Sequence, residues 1–107
     1  MTPKPKLINA QTGNREYVRL LGGPPESVTL RSGAVNLNPG KTVGVHSTEN
    51  NEELIIVLEG KGEFIFSDEE KLEIEDGVVL YCPPNTEHDV KNTGTRSLKY
   101  IYVVAKT

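Results

Sequence analysis

Only two histidines occur in this chain, and each lies in a glycine-bounded β pattern with other polar residues nearby. The first pattern, Gly40–Gly60, holds His46, Thr48 and Glu53; the second, GVVLYCPPNTEHDVKN, holds His88. A lone histidine beside acidic residues is usually a surface group or a satisfied core group. Imidazole and carboxylate together are ligands that divalent transition metals accept. Two such patterns in one small chain therefore favour a metal site.

The elements that position these residues are predicted to be short strands. Side chains alternate along a strand, so His46 and Thr48 should share a face, and Glu53 on the following strand can face back toward His46. Apolar residues recur at spacing two or in short runs, and we find no helical period. The predicted strands are Leu7–Asn9, Glu16–Leu21, Val28–Leu37, Thr42–Val45, Leu54–Leu58, Glu63–Ser67, Lys71–Glu75, Val78–Tyr81, Glu87–Lys91 and Leu98–Ala105.

About nine or ten short strands with turn residues between them predict an all-β sandwich or barrel of antiparallel sheets. Gly33, in the middle of its strand, suggests a bulge or bend. Glu59–Gly62 is predicted to be a tight hairpin turn, since glycine supplies the backbone angles that such turns need.

Composition limits the classes of partner. The 107 residues suit one domain, 1–107, with Met1–Lys6 as a loose tail that lacks the apolar segment of a signal peptide. The net charge of −3, without a basic stripe, argues against nucleic acid, and no apolar run approaches a membrane span. A single cysteine, Cys82, excludes an internal disulfide and is expected to be a small buried hydrophobe. We expect a cytoplasmic protein.

The spacing of the first pattern resembles a motif of the cupin family. That motif is Gly, five residues, His-x-His, three or four residues, Glu, six residues and Gly. In this chain those positions are Gly40, His46, Thr48, Glu53 and Gly60. Every spacing agrees, and the single departure is Thr48 in place of the second histidine.

The second pattern resembles the other cupin motif, which is Gly, five residues, Pro-x-Gly, two residues, His, three residues and Asn. The matching positions are Gly77, Pro83, Asn85, His88 and Asn92. Asn85 replaces a glycine, and asparagine also tolerates left-handed backbone angles. The resemblance implies a cupin jelly-roll barrel, the double-stranded β-helix, in the manner of a small single-domain cupin.

The resemblance also implies a site. The family's metal ligands carry over to His46, Glu53 and His88, a set of two histidines and one carboxylate. Such a set suits Fe(II) with open coordination positions, and could equally hold Mn, Ni or Zn, or stand without metal. Thr48 is expected to point into the pocket and to hydrogen-bond a metal-bound water or a substrate oxygen.

Two functions follow from the resemblance. One is a metal-dependent enzyme, dioxygenase- or isomerase-like, acting on a small polar substrate. The other is a non-catalytic module that binds a sugar or organic acid, with a degenerate or empty metal site. Fold alone does not choose between them.

The resemblance further implies a homodimer. The predicted edge strands Leu7–Asn9 and Glu16–Leu21, with Val18 and Leu20 available to bury, are candidates for its interface. Two tyrosines on one face of the last strand, Tyr100 and Tyr102, are expected in core or interface packing rather than in the pocket lining.

Overall fold

The computed structural model describes residues 3–107, which form nine strands in two antiparallel sheets. Met1 and Thr2, the first two residues of the predicted tail, lie outside the described residues; Pro3–Lys6 carry no regular structure. The strands are β1 Tyr17–Gly22, β2 Arg31–Leu37, β3 His46–Ser47, β4 Asn51–Glu59, β5 Lys61–Phe66, β6 Glu70–Glu75, β7 Val79–Cys82, β8 Glu87–Asn92 and β9 Leu98–Lys106.

The two sheets face each other around one apolar core. The five-stranded sheet has the order β1-β2-β9-β4-β7, and the four-stranded sheet has the order β3-β8-β5-β6. Alternate residues of each strand point inward, and those at the closed end of the barrel fill the core. Among the most deeply buried are Ile55, Val57, Ile74, Val90 and Leu98. The predicted all-β cupin jelly roll is thus confirmed, with nine strands and no helix in residues 3–107.

The turn around Gly60 is not the hairpin that the sequence predicted. β4 pairs with β7 and β9, whereas β5 pairs with β6 and β8, so the chain crosses between the sheets here. Gly60 has a φ of 100°, and its N–H donates to Asp76 Oδ1 at 2.6 Å. A local glycine signal predicts a sharp turn, but cannot reveal that the next strand joins the other sheet.

Two predicted strands are absent from the described residues. Leu7–Asn9 has no ladder partner, and the Leu7 side chain is fully exposed. Thr42–Val45 forms only one bridge, between Thr42 and Lys91, because the Gly44 N–H donates to the Asp89 carboxylate instead of to a neighbouring strand. The strand of the first pattern therefore begins only at His46.

Gly33 lies in an unbroken ladder with β9, so it is not a bulge. Its role is to leave space, since a Cβ there would lie 2.5 Å from Tyr17 Cε1 and 2.7 Å from Tyr102 Cε2. The irregularity in this part of the sheet lies in β1 instead, between Arg19 and Leu21. The absence of a Cβ at Gly33 therefore lets the rings of Tyr17 and Tyr102 pack against strand β2.

No helix among the described residues is long and apolar enough to cross a membrane.

Gly60→Ala tests the crossing between the sheets. The new Cβ would meet the Ser97 carbonyl oxygen at 2.5 Å and Leu98 Cα at 2.9 Å, on a backbone already in the left-handed region. We expect the free energy of unfolding to fall by about 2–4 kcal/mol, measured by urea denaturation.

Gly77→Ala is the matched control, because Gly77 has a φ of 84° and no atom within 4 Å of its added Cβ. It should cost about 1–2 kcal/mol, from backbone strain alone. Equal losses in both variants would contradict the crowding assigned to Gly60.

Candidate metal centre

The two histidines face each other on neighbouring strands. His46 of β3 is the register partner of His88 of β8, and their rings lie edge to face with centroids 4.2 Å apart. Glu53 comes from β4 in the opposite sheet, and its Oε1 lies 3.4 Å from His88 Nε2. The sequence predicted that neighbouring strands bring His46 and Glu53 together; instead, the carboxylate reaches the imidazoles across the barrel.

Backbone carbonyls orient both imidazole rings. His46 Nδ1 lies 2.8 Å from the Gly44 carbonyl oxygen, and His88 Nδ1 lies 3.0 Å from the Thr86 carbonyl oxygen. Because a carbonyl oxygen only accepts, each Nδ1 carries a proton, which leaves Nε2 as the atom that can bind a cation once it is deprotonated. This is the tautomer that a metal ligand needs.

The site is buried on one side and open on the other. The side chains of His88 and Glu53 are buried, whereas His46 is exposed. Burial by itself lowers the pKa of His88, but the nearby Glu53 carboxylate and the Thr86 carbonyl outweigh it, so this pKa lies above its ordinary value. A proton on His88 therefore competes with a cation for Nε2.

The spacing of the three groups suits a metal ion. One ligand atom from each of His46, Glu53 and His88 lies within 4.8 Å of the others. Two tetrahedral ligands about 2.0–2.2 Å from one zinc-sized ion lie about 3.3–3.6 Å apart, which is close to the 3.4 Å between Glu53 Oε1 and His88 Nε2. The cluster could hold a divalent cation and leave further coordination positions toward the cavity.

Thr48 lies at the predicted place on the cavity wall, and its hydroxyl also bonds to the backbone. The hydroxyl donates to the Pro83 carbonyl oxygen at 2.8 Å and accepts from the Thr86 N–H at 3.1 Å. The Thr48 N–H donates to the Thr86 carbonyl oxygen, the same atom that orients His88. Thr48 thus fixes the β7–β8 loop through its hydroxyl and its backbone N–H.

A cavity of about 610 Å³ opens above the cluster, within the size range of small-molecule sites. It is lined by residues that sequence reasoning did not place there, including Arg31, Tyr17, Tyr100 and Tyr102. The core packing expected of the two β9 tyrosines is confirmed, since Tyr100 is buried in the apolar core and Tyr102 packs against it, but both also border the cavity. The alternation of residues along β9 predicts that Tyr100 and Tyr102 point into the barrel. It does not predict which of the inward residues border the cavity, because that depends on the distance between the two sheets.

Tyr17 and Tyr102 form a hydroxyl pair in this lining. Their oxygens are 2.9 Å apart, and the rings stack with centroids 6.4 Å apart. Burial, followed by the hydrogen bond with Tyr17, raises the pKa of Tyr102 above its ordinary value. The Tyr102 hydroxyl therefore stays neutral and hydrogen-bonds with the Tyr17 hydroxyl.

Cys82 lies beside the cluster as a buried thiol. Its Sγ is 3.8 Å from His88 Nδ1, the nitrogen that points away from Glu53. Burial, assisted by the Glu53 charge, raises the pKa of the thiol. Cys82 therefore remains protonated, in agreement with the expected small hydrophobe.

Thr48→Val tests the structural role of the hydroxyl. The near-isosteric change leaves the Pro83 carbonyl and the Thr86 N–H without their partner, so we expect the free energy of unfolding to fall by about 1–3 kcal/mol in urea denaturation. Thr48→Ser keeps the hydroxyl and should retain most of this stability. Equal stability of the valine variant and the wild type would contradict the assignment.

A sequence model of the cupin domain matches residues 33–104. An uncharacterized protein of Methanocaldococcus jannaschii is 36% identical over 62 residues, covering 58% of this chain and 49% of that protein. An oxalate-binding protein of Thermotoga maritima is 32% identical over 71 residues, covering 65% of this chain and 57% of that protein. The matches thus span about half of these two relatives.

Solved structures agree on the fold. A cupin family protein of M. jannaschii with a double-stranded β-helix superposes with a TM-score of 0.79 at 18% identity, over 95% of this chain and 91% of that chain. Because the family match covers most of the chain, including both histidine patterns, this protein belongs to the cupin domain family.

Proposed function

We propose that His46, Glu53 and His88 bind a divalent metal ion, and that the cavity above it receives a small oxygen-bearing molecule. The observation that carries this proposal is the convergence of the three ligand groups in a pocket of suitable size, with each Nδ1 held by a backbone carbonyl so that Nε2 faces the cluster. When bound, the ion would supply Lewis-acid polarisation to an oxygen ligand. Fe, Mn, Ni and Zn all accept this set of ligands.

Each protein group then has a defined task. Glu53 contributes the negative charge, while the Gly44 and Thr86 carbonyls hold the imidazoles in their tautomers. The apolar wall beside His88 limits the entry of water, since Phe64 stacks on that imidazole with centroids 5.0 Å apart. The protein thus supplies a shaped site that is dry on one side and open on the other.

We propose binding of a small organic acid as the main activity. Carboxylate oxygens suit a hard divalent ion, and one relative is named an oxalate-binding protein. The chain contains no histidine beyond the two ligands, so no ordinary imidazole base is left for proton transfer. The second candidate is a metal-centred enzyme, dioxygenase- or isomerase-like, which the open coordination positions favour.

Metal titration of chelator-treated protein tests the site. Wild type should bind about one equivalent of Mn²⁺, Fe²⁺, Ni²⁺ or Zn²⁺ in calorimetry, and His46→Ala should weaken binding by more than roughly 100-fold, beyond the effect of losing an outer-shell partner. Circular dichroism should show an intact barrel, because His46 is exposed and outside the apolar core. His88→Ala should also abolish binding, but at some cost in stability, since it leaves the buried Glu53 unpaired.

Glu53→Gln and Glu52→Gln form a matched pair of neighbouring carboxylates. Glu53 points into the barrel, whereas Glu52 accepts a hydrogen bond from the Tyr81 hydroxyl on the outer face. Only the Glu53 variant should lose metal. If none of the four ions binds the wild type, the metal-free binding module is the correct function.

We also propose a homodimer, through an outer patch on the five-stranded sheet. Ile56 is in register with Val79 and Ile101, and Leu54 is in register with Tyr81 and Val103, so these side chains share a face. Leu54, Val79 and Tyr81 are 41–59% exposed on this face, and adjoining exposed apolar side chains suit a contact with another protein. Val18, predicted for this interface together with Leu20, lies in the same register row, but Ala34 between Val18 and Ile101 is buried. A self-complementary two-fold contact would cover this patch.

Light scattering tests the dimer. Wild type should have twice the chain mass at micromolar concentration, and Leu54→Asp should shift it toward the monomer by burying an unpaired charge in the interface. Val28→Asp is the control, because Val28 is 74% exposed in the loop between β1 and β2. A monomeric wild type would contradict the proposal.

The cytoplasmic location expected from the sequence also remains a proposal, supported by the single buried thiol.

A further inference from the structure

Arg31 shares an inward-facing row with the acidic metal ligand. On β9, Val104 is the register partner of both Glu53 on β4 and Arg31 on β2. Neighbouring strands lie about 4.7–4.9 Å apart, so the Cα atoms of Glu53 and Arg31 are separated by about 10 Å across the sheet. Both residues line the same cavity. A cationic side chain thus stands two strands away from the metal cluster.

The Arg31 guanidinium has no partner of its own among residues 3–107, in either side-chain hydrogen bonds or ion pairs. Arg19, by comparison, is held by Glu26 at 2.7 Å. The stem of Arg31 lies beside Gly23 at the rim, which leaves the planar head group available. Guanidinium binds a carboxylate through two parallel hydrogen bonds, so an unpaired cavity arginine suits a carboxylate ligand.

The wall between the two positions suits a short carbon chain. Val104 supplies an apolar surface, and the Tyr17–Tyr102 hydroxyl pair lies one row further along β9. Two other acidic residues, Glu16 and Glu49, border the cavity and, like Arg31, are exposed to solvent, but neither is in register with Glu53 across β9. The buried charges that a ligand must match are those at Glu53 and the metal.

Charge balance points to a dianion. A divalent ion with the Glu53 carboxylate leaves one net positive charge, and Arg31 adds a second at the other end of the row. A ligand with a carboxylate at each end neutralises both. A monocarboxylate leaves Arg31 unpaired, and oxalate that chelates the metal with both ends has no acid group left for Arg31.

We propose that the cavity selects a small dicarboxylate that is too long to chelate the metal through both ends, with one carboxylate on the metal and the other on Arg31. This inference rests on the metal binding proposed above. It assigns Arg31 as the specificity-determining residue of the site, with the tyrosine hydroxyl pair beside the ligand chain.

Calorimetry on manganese-loaded protein tests the inference, with succinate and oxalate as probes. Wild type should bind succinate, and Arg31→Gln should weaken succinate at least about tenfold, the effect of losing a charge-assisted bidentate pair. Oxalate affinity should change less than about twofold. Arg96→Gln removes the same charge from an exposed position outside the cavity lining and should leave both affinities unchanged.

Separate outcomes identify which proposal fails. If manganese binds normally but wild type does not take succinate, or if Arg31→Gln leaves succinate affinity unchanged, the role of Arg31 is wrong while the metal site stands. Equal weakening of succinate and oxalate would mean that Arg31 acts through the metal or through general charge, which also overturns the inference. If manganese does not bind, the metal site itself is wrong, and this inference falls with it.

Discussion

The site depends on one contact, the approach of Glu53 to His88 across the interior of the barrel. The two groups come from opposite sheets, lie 3.4 Å apart and are both buried. Removing a carboxylate and an imidazole from water is costly unless they are paired or bound to a cation. The sheets can therefore close at this level only if these groups satisfy each other or share an ion.

Other parts of the structure serve this contact. The crossing at Gly60 sends β5 into the second sheet, where it pairs with the strand that carries His88. Thr48 fastens the loop before that strand, and its partner Thr86 sets the imidazole. Asn92, at the far end of the same strand, is fully buried and donates to the carbonyls of Leu37 and Arg96. Polar bonds to the backbone thus hold both ends of β8.

Strand patterning predicted the all-β fold class, and the resemblance to the two cupin motifs implied the three convergent groups. Asn85, for example, adopts the left-handed backbone expected from its place in the second motif, with a φ of 55°. Non-local pairing was less predictable. The register of β3 against β8, the change of sheet at Gly60 and the failure of Leu7–Asn9 to pair all depend on residues far away in the chain.

Side-chain partners were the least predictable feature. The Thr48 hydroxyl has two backbone partners 35 and 38 residues away, which no local pattern reveals. Arg31 enters the cavity lining because its strand pairs with β9, and the sequence alone offered four scattered arginines with no way to choose among them. Topology, rather than composition, determines which polar residues meet at the open end of the barrel.

X-ray absorption at the zinc edge, on protein loaded with one equivalent of Zn²⁺, tests the central claim most directly. We expect two imidazole nitrogens and further oxygen ligands at about 2.0–2.2 Å from the zinc ion, and no sulfur ligand. A sulfur scatterer near about 2.3 Å would mean that Cys82 replaces a predicted ligand. The absence of imidazole scattering would contradict a metal centre built on His46 and His88.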